Sequence, residues 1–99
     1  MELRERVRSA KRIVIKVGSS SLTHDNGRLD IDRIERMVRE ISDIAASGRE
    51  MVLVSSGAVA AGVGKLGLRD KPKTIPEKQA VAAVGQVALM HLYAKLFSE

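Results

Sequence analysis

The chain contains no cysteine, so disulfides and thiolate metal sites drop out, and a reducing cytoplasmic setting fits the composition. Rings are scarce. Aromatic residues are 2% of the chain, Tyr93 and Phe97, so a core must be built from Val, Ile, Leu, Ala and Met, and few surfaces exist on which nucleic-acid bases could stack. No apolar run approaches the roughly 20 residues that span a bilayer. The charged opening segment, Met1 to Arg12, lacks the apolar stretch of a signal peptide. No internal repeat or low-complexity tract interrupts the pattern. The expectation is a soluble cytoplasmic protein without a membrane partner.

What is present suits one small globular unit. Hydrophobic residues make up 44% of 99 residues, enough for a folded domain and too short a chain for two. Seventeen basic against twelve acidic residues give a net charge of +5. The charges are interspersed along helical faces instead of clustered, which argues against a nucleic-acid footprint and leaves a basic surface suited to small anions.

Hydrophobic spacing supplies the architecture. Leu3, Val7 and Ala10 recur at helical intervals. Ile13-Val14-Ile15-Lys16-Val17 reads as a strand of the kind found in a sheet covered on both faces. Gly18 to Ser21 ends it, and Asn26-Gly27 marks a turn within a loop or small hairpin. Asp30 or Asp32 can cap an amphipathic helix whose apolar face carries Ile31, Ile34, Met37, Val38, Ile41, Ile44 and Ala45, with Gly48 as its C-terminal cap. Met51 to Val54 is a second buried strand. The spacing therefore predicts a βαβ unit with parallel strands. The small-residue run Ala58 to Gly64 would let a further helix pack closely on the sheet. Beyond a connector from Asp70 to Pro76, a long helix runs towards Phe97 with Pro76 near its start; Ala80, Val84, Val87, Ala88, Leu92 and Leu96 mark its apolar face. The fold class is α/β: an open parallel sheet with helices on both faces, stopping after two strands where open sheets usually have about five or six. It reads as part of a larger domain.

Both strands end in glycine turns on the same edge, where open α/β sheets bind ligands. In Lys16-Val17-Gly18-Ser19-Ser20-Ser21 the glycine admits close backbone approach, the serines add donors and Lys16 adds charge, a set that suits phosphate. The spacing is neither that of a Walker A loop nor that of the dinucleotide fingerprint. A lysine inside an apolar strand must reach the sheet edge or meet an anion; a snorkelling strand lysine is the plainer alternative. At Ser55-Ser56-Gly57-Ala58 a strand runs into a helix N-terminus, where successive N–H groups favour an anion and Ser56 can add a hydroxyl. The alternative is an N-capping serine without a ligand. This turn lacks the glycine spacing and the histidine of a nucleophile elbow. His24 and His91 have no companion at metal-ligand spacing, and the carboxylates form no acid–base pair.

Taken in order, three segments resemble a known family. Ile13 to Ser20, with Val52 to Gly62, resembles the start of the amino acid kinase superfamily. Thr74-Ile75-Pro76-Glu77-Lys78-Gln79-Ala80 through Ala82-Ala83-Val84-Gly85-Gln86, with Leu89-Met90 beyond, is similar to the glutamate 5-kinase family within it. The resemblance covers Lys11 to Glu99. It implies a three-layer αβα sandwich, of which residues 1–99 are the amino-terminal part. The implied reaction is ATP-dependent phosphorylation of the side-chain carboxylate of L-glutamate, the first step of proline synthesis, with Mg2+ accompanying ATP. Lys16 matches the family's phosphate-contacting, catalytic lysine, with Gly18 and Ser19 closing on the phosphate. Ser56 matches the substrate-binding serine, with Gly57 and Ala58 at the same glutamate-facing turn.

The resemblance also implies parts that lie beyond Glu99: a substrate-binding aspartate and asparagine, the nucleotide-base pocket and a second catalytic lysine. A homo-oligomer is the expectation for a full-length parent, and the fragment alone is expected to be inactive. Two alternatives stand beside this reading. One is another amino acid kinase, such as an acetylglutamate or carbamate kinase; the other is a non-catalytic half-domain that binds through its open sheet edge.

Overall fold

Two runs of β-branched and aliphatic residues find each other across an intervening helix. In the computed structural model, which describes residues 2–99, β1 (Arg12–Val17) and β2 (Glu50–Ser55) form a two-stranded parallel sheet. The register runs from Arg12 opposite Glu50 to Val17 opposite Ser55. An exposed ion pair of 3.0 Å between Arg12 and Glu50 marks the start of this ladder, worth little in water. The expected parallel βαβ unit is therefore present.

Between the strands the chain makes two helices. Ser19–Leu22 is a single helical turn, α2, where the sequence suggested only a turn. The short hairpin that follows closes through His24 N–H to the Arg28 carbonyl at 2.8 Å, with Asn26 Oδ1 accepting from Arg28 N–H at 3.0 Å. Such an Asx contact is what makes Asn-Gly a turn signal. The amphipathic helix α3 spans Ile31–Ala46. Of the two candidate caps Asp30 is the one used, its carboxylate accepting from Arg33 N–H at 3.1 Å. Gly48, at φ +98°, sits just past the helix end, where the left-handed backbone favours glycine. Ile34, Val38 and Ile41 are buried and Met37 packs beside them, whereas Ile31 lies exposed at the first turn. Ahead of β1, Leu3–Ser9 forms α1, with no buried residue.

The sheet has one covered face. Ile15, Val17 and Leu53 meet Ile34, Val38, Leu89 and Tyr93 in the core. Leu22, Ile34 and Leu89 are its largest fully buried side chains, each contributing on the order of 1.5–3 kcal/mol through removal from water. Val14, Lys16, Val52 and Val54 point the other way and are exposed, Val14 to 61%. The α/β class with a parallel sheet is thus what forms, and the 99 residues carry one helical layer of it.

After β2 the chain enters α4 (Ala58–Leu66) and then α5 (Ile75–Phe97). The small residues of α4 serve a purpose other than the expected close packing on the sheet: α4 packs chiefly against α5. A Cβ at Gly62 would lie 2.1 Å from the Val81 carbonyl oxygen, and one at Gly85 would lie 1.6 Å from that of Ala58. Only glycines let these two backbones cross so closely.

The start of α5 is well specified. Thr74 accepts from Glu77 N–H at 3.2 Å while the Glu77 carboxylate returns to the Thr74 N–H, a complete capping box. Ile75 is therefore the first helical residue and Pro76 the second. The buried stripe is Val81, Gly85, Leu89 and Tyr93, which corrects the expected face. Val84 and Val87 are exposed, the latter to 60%, and only Ala88, Leu92 and Leu96 of the expected set are partly covered. The helix is apolar almost all round, so periodicity could not choose among its faces; the crossing at Gly85 does.

That same richness corrects another expectation. With 23 residues and few charges, α5 is long and apolar enough to cross a membrane by length and composition only, a test that a core helix also passes. Gln86 and His91 interrupt its run of apolar residues.

Candidate functional site

The parallel register brings the two glycine turns together. Because Val17 pairs with Ser55, the residues that follow them, Gly18 and Ser56, leave the sheet side by side. Ser56 N–H donates to the Val17 carbonyl across 2.9 Å and extends the ladder by one bond. Neighbouring strands lie about 4.8 Å apart, so groups held by these turns would be near neighbours. Lys16, Gly18, Ser19, Ser56, Gly57 and Ala58 thus share one edge of the sheet, although they lie some forty residues apart in sequence.

Each turn has its own construction. Lys16 is the residue before the buried Val17, and strand alternation sends it to the uncovered face. Its ammonium has no ion-pair partner among the described residues. Gly18 precedes α2 with an ordinary extended backbone, φ −82°, and a Cβ there would meet nothing within 4 Å. Its value is open space above the turn, not a special conformation. Ser19 borders a cavity of about 220 Å³ whose other walls include Arg28, Val59, Arg69 and Lys71. None of those three cations has an ion-pair partner among the described residues, and no acidic side chain lines the cavity.

The second turn depends on Gly57. It is buried and left-handed, φ +108°, the conformation that favours glycine, whereas a Cβ would only come into ordinary contact with Leu22, Leu29 and Leu89. This conformation swings the chain from β2 into α4, which begins at Ala58. Gly57, not Ser56, is therefore the N-cap of α4, and no side chain caps that helix. The N-capping alternative for Ser56 does not hold. Its hydroxyl is exposed at the turn, with no hydrogen-bond partner among the described residues. The N–H groups at the start of α4 face the same end of the sheet, where the partial positive charge of a helix N-terminus favours an anion.

Two further residues at this edge, Ser55 and Tyr93, have no role assigned by the sequence pattern. Ser55 Oγ donates to the Ser56 carbonyl at 2.8 Å and meets Tyr93 Oη at 2.7 Å. Tyr93 is 6% exposed. The available signal was weak: a tyrosine in register with Leu89 and Gly85 on a packed helix, whose hydroxyl needs a partner once buried. His24 and His91 are exposed, and among the described residues no three His, Cys, Asp or Glu side chains cluster so as to hold a metal ion.

An unpaired lysine, an unpaired serine hydroxyl and a helix N-terminus, gathered on one strand edge, form a surface able to hold anionic groups next to each other. Comparison with known proteins gives the family. The family model described as "Amino acid kinase family" matches residues 11–99. A glutamate 5-kinase of Moorella thermoacetica is 58% identical over 98 residues, covering 99% of this chain and 26% of its own length. The glutamate 5-kinase of Clostridium perfringens is 60% identical over 97 residues, covering 98% of this chain and 36% of the relative. That of Clostridium acetobutylicum is 58% identical over 100 residues, covering 100% of this chain and 38% of the relative. The chain therefore spans between about a quarter and two fifths of the length of these curated relatives. With the family match running through both strands, both glycine turns and the whole of α5, this chain belongs to the amino acid kinase family.

Proposed function

We propose that this chain supplies the amino-terminal part of a glutamate 5-kinase, with residues 1–99 belonging to a single kinase domain. The reaction is transfer of the ATP γ-phosphoryl group to the side-chain carboxylate of L-glutamate. A carboxylate oxygen forms the new bond to phosphorus, the bond to the bridging oxygen breaks, and ADP leaves with glutamyl 5-phosphate as product. The product is the first intermediate towards proline. The carrying observation is the Ser56 N–H to Val17 carbonyl bond, which sets the two anion-suited turns next to each other.

In this reading Lys16 acts on the phosphate side. A positioned ammonium neutralises charge on the transferring oxygens, and Gly18 leaves room for phosphate to approach the backbone while Ser19 adds a hydroxyl. Ser56 donates to glutamate, with Gly57 and Ala58 shaping that turn. Mg2+ is the nucleotide's companion ion. Among the described residues no cluster could hold it alone, so phosphate oxygens would supply its coordination.

The protein works without a membrane and as a homo-oligomer in its full-length form, in the cytoplasm. For α5 the soluble reading is supported by its buried stripe against α4 and the core, and by relatives bearing an enzyme's name across the whole segment. The test is kinetic. A full-length kinase chain carrying these 99 residues should release ADP only when both glutamate and ATP are present. Turnover with acetylglutamate or carbamate in place of glutamate would assign the segment to another branch of the family.

A further inference from the structure

We infer that Tyr93 is a positioning residue for the glutamate-side turn, acting through Ser55; the inference rests on the assignment of Ser56 to glutamate. The geometry forms a relay. Ser55 Oγ has one proton and gives it to the Ser56 carbonyl at 2.8 Å, so at 2.7 Å it accepts from the Tyr93 hydroxyl. The chain of donors runs from Tyr93 O–H to Ser55 Oγ–H to Ser56 C=O.

Its target is the peptide that joins Ser56 to the turn at Gly57. The Ser56–Gly57 peptide is planar and trans, so fixing its carbonyl also fixes the opposite direction of the Gly57 N–H. Gly57 then turns through φ +108° and launches α4 at Ala58. A glycine at this point permits many other backbone angles. The relay selects among them from α5, an element outside the turn itself. Tyr93 is well suited to the task. Its ring is buried in the core with Val17 and Leu89, it sits on the stripe by which α5 packs, and it lies 38 residues from Ser55 in the chain.

The experiment uses a full-length kinase chain carrying this segment, with Tyr93→Phe, Ser55→Ala, Ser55→Thr, the Tyr93→Phe/Ser55→Ala double variant and Ser56→Ala. Tyr93→Phe keeps the ring and removes one neutral hydrogen bond. It should raise the glutamate KM about two- to ten-fold, the range such a bond spans, with ATP KM and kcat at saturating glutamate unchanged. Ser55→Ala should do the same, the double variant should be no worse than Ser55→Ala alone, and Ser55→Thr should retain the original KM. A purely structural hydroxyl would instead lower Tm and leave both KM values alone; that result, with Ser56→Ala still raising the glutamate KM, overturns the role of Tyr93 and leaves the site standing. An unchanged glutamate KM in Ser56→Ala removes the site assignment itself, and the relay with it. If Tyr93→Phe does not fold, Ser55→Ala against Ser55→Thr decides the matter.

Discussion

The Ser56 amide reaches the Val17 carbonyl across 2.9 Å, and by that bond two loops from distant parts of the chain become one surface. The contact is a backbone ladder bond, so it depends on strand register and not on either side chain. Register in turn is held by the covered face, where Ile15 and Leu53 pack beneath α3 and α5. Slipping one strand by a residue would send those side chains to the exposed face. The packing that stabilises the sheet therefore also aligns the proposed phosphate and glutamate turns.

Lys16→Ala, in a full-length kinase chain, is expected to lower kcat far more than it raises the glutamate KM. The exposed strand position means that its removal costs the fold little, whereas a cation placed on developing charge is worth about 2–4 kcal/mol by comparison with other electrostatic donors. Steady-state kinetics with both substrates varied will check this. Unchanged turnover would leave Lys16 as a solvated strand lysine.

Ser56→Ala should show the opposite division. Loss of a hydrogen bond to a charged group is worth about 1.5–3 kcal/mol, read here as a higher glutamate KM with the ATP KM nearly constant. A shift confined to ATP would mean that the roles of the two turns are exchanged.

Gly85→Ala tests the crossing of α4 and α5. The added methyl would fall 1.6 Å from the Ala58 carbonyl oxygen and 2.5 Å from the Gly62 nitrogen, and backbone cannot swing aside as a side-chain tip can. Overpacking of this kind costs typically 1–3 kcal/mol or more. The variant should melt well below the parent or fail to accumulate in soluble form. A variant with the parent's Tm would show that the two helices do not cross so closely. Because Ala58 also borders the turn proposed to hold glutamate, any surviving protein should have impaired glutamate binding.

Thr74→Ala removes half of the capping box at the head of α5. Caps of this type contribute about 0.5–2 kcal/mol, and the site lies away from both turns. Thermal melts should record a lower Tm while both KM values hold. A change in glutamate KM without a change in Tm would contradict a purely capping role.

The 99-residue chain by itself should show no glutamate-dependent ATP turnover. One turn is proposed to take phosphate and the other glutamate, but among the described residues nothing encloses a nucleotide, and positioning supplies much of the rate of phosphoryl transfer. Both strands also keep an open edge, and Val14, Val52 and Val54 lie exposed beside it, which invites self-association. An ADP-release assay run beside light scattering tests both statements, with the Lys16→Ala/Ser56→Ala double variant as control. Glutamate-stimulated release above that control would overturn the first, and a sharply monodisperse, cooperatively melting monomer the second.

Local pattern alone determined the strands, the parallel βαβ order, the Gly48 end of α3 and the two glycine turns, because β-branched runs, caps and turn residues act over a few neighbouring positions. Those features also carried the family resemblance. Three things only the tertiary structure decided. Which face of α5 is buried depended on the meeting of Gly62 and Gly85 with backbone from another helix, since an almost uniformly apolar helix has no preferred side in isolation. Which sheet face is bare depended on where the helices packed, since strands that are apolar on both sides read alike whichever face is covered. The Tyr93–Ser55 contact joins side chains 38 residues apart, and no short-range rule connects them; it exists because core packing brings the end of α5 to the end of β2.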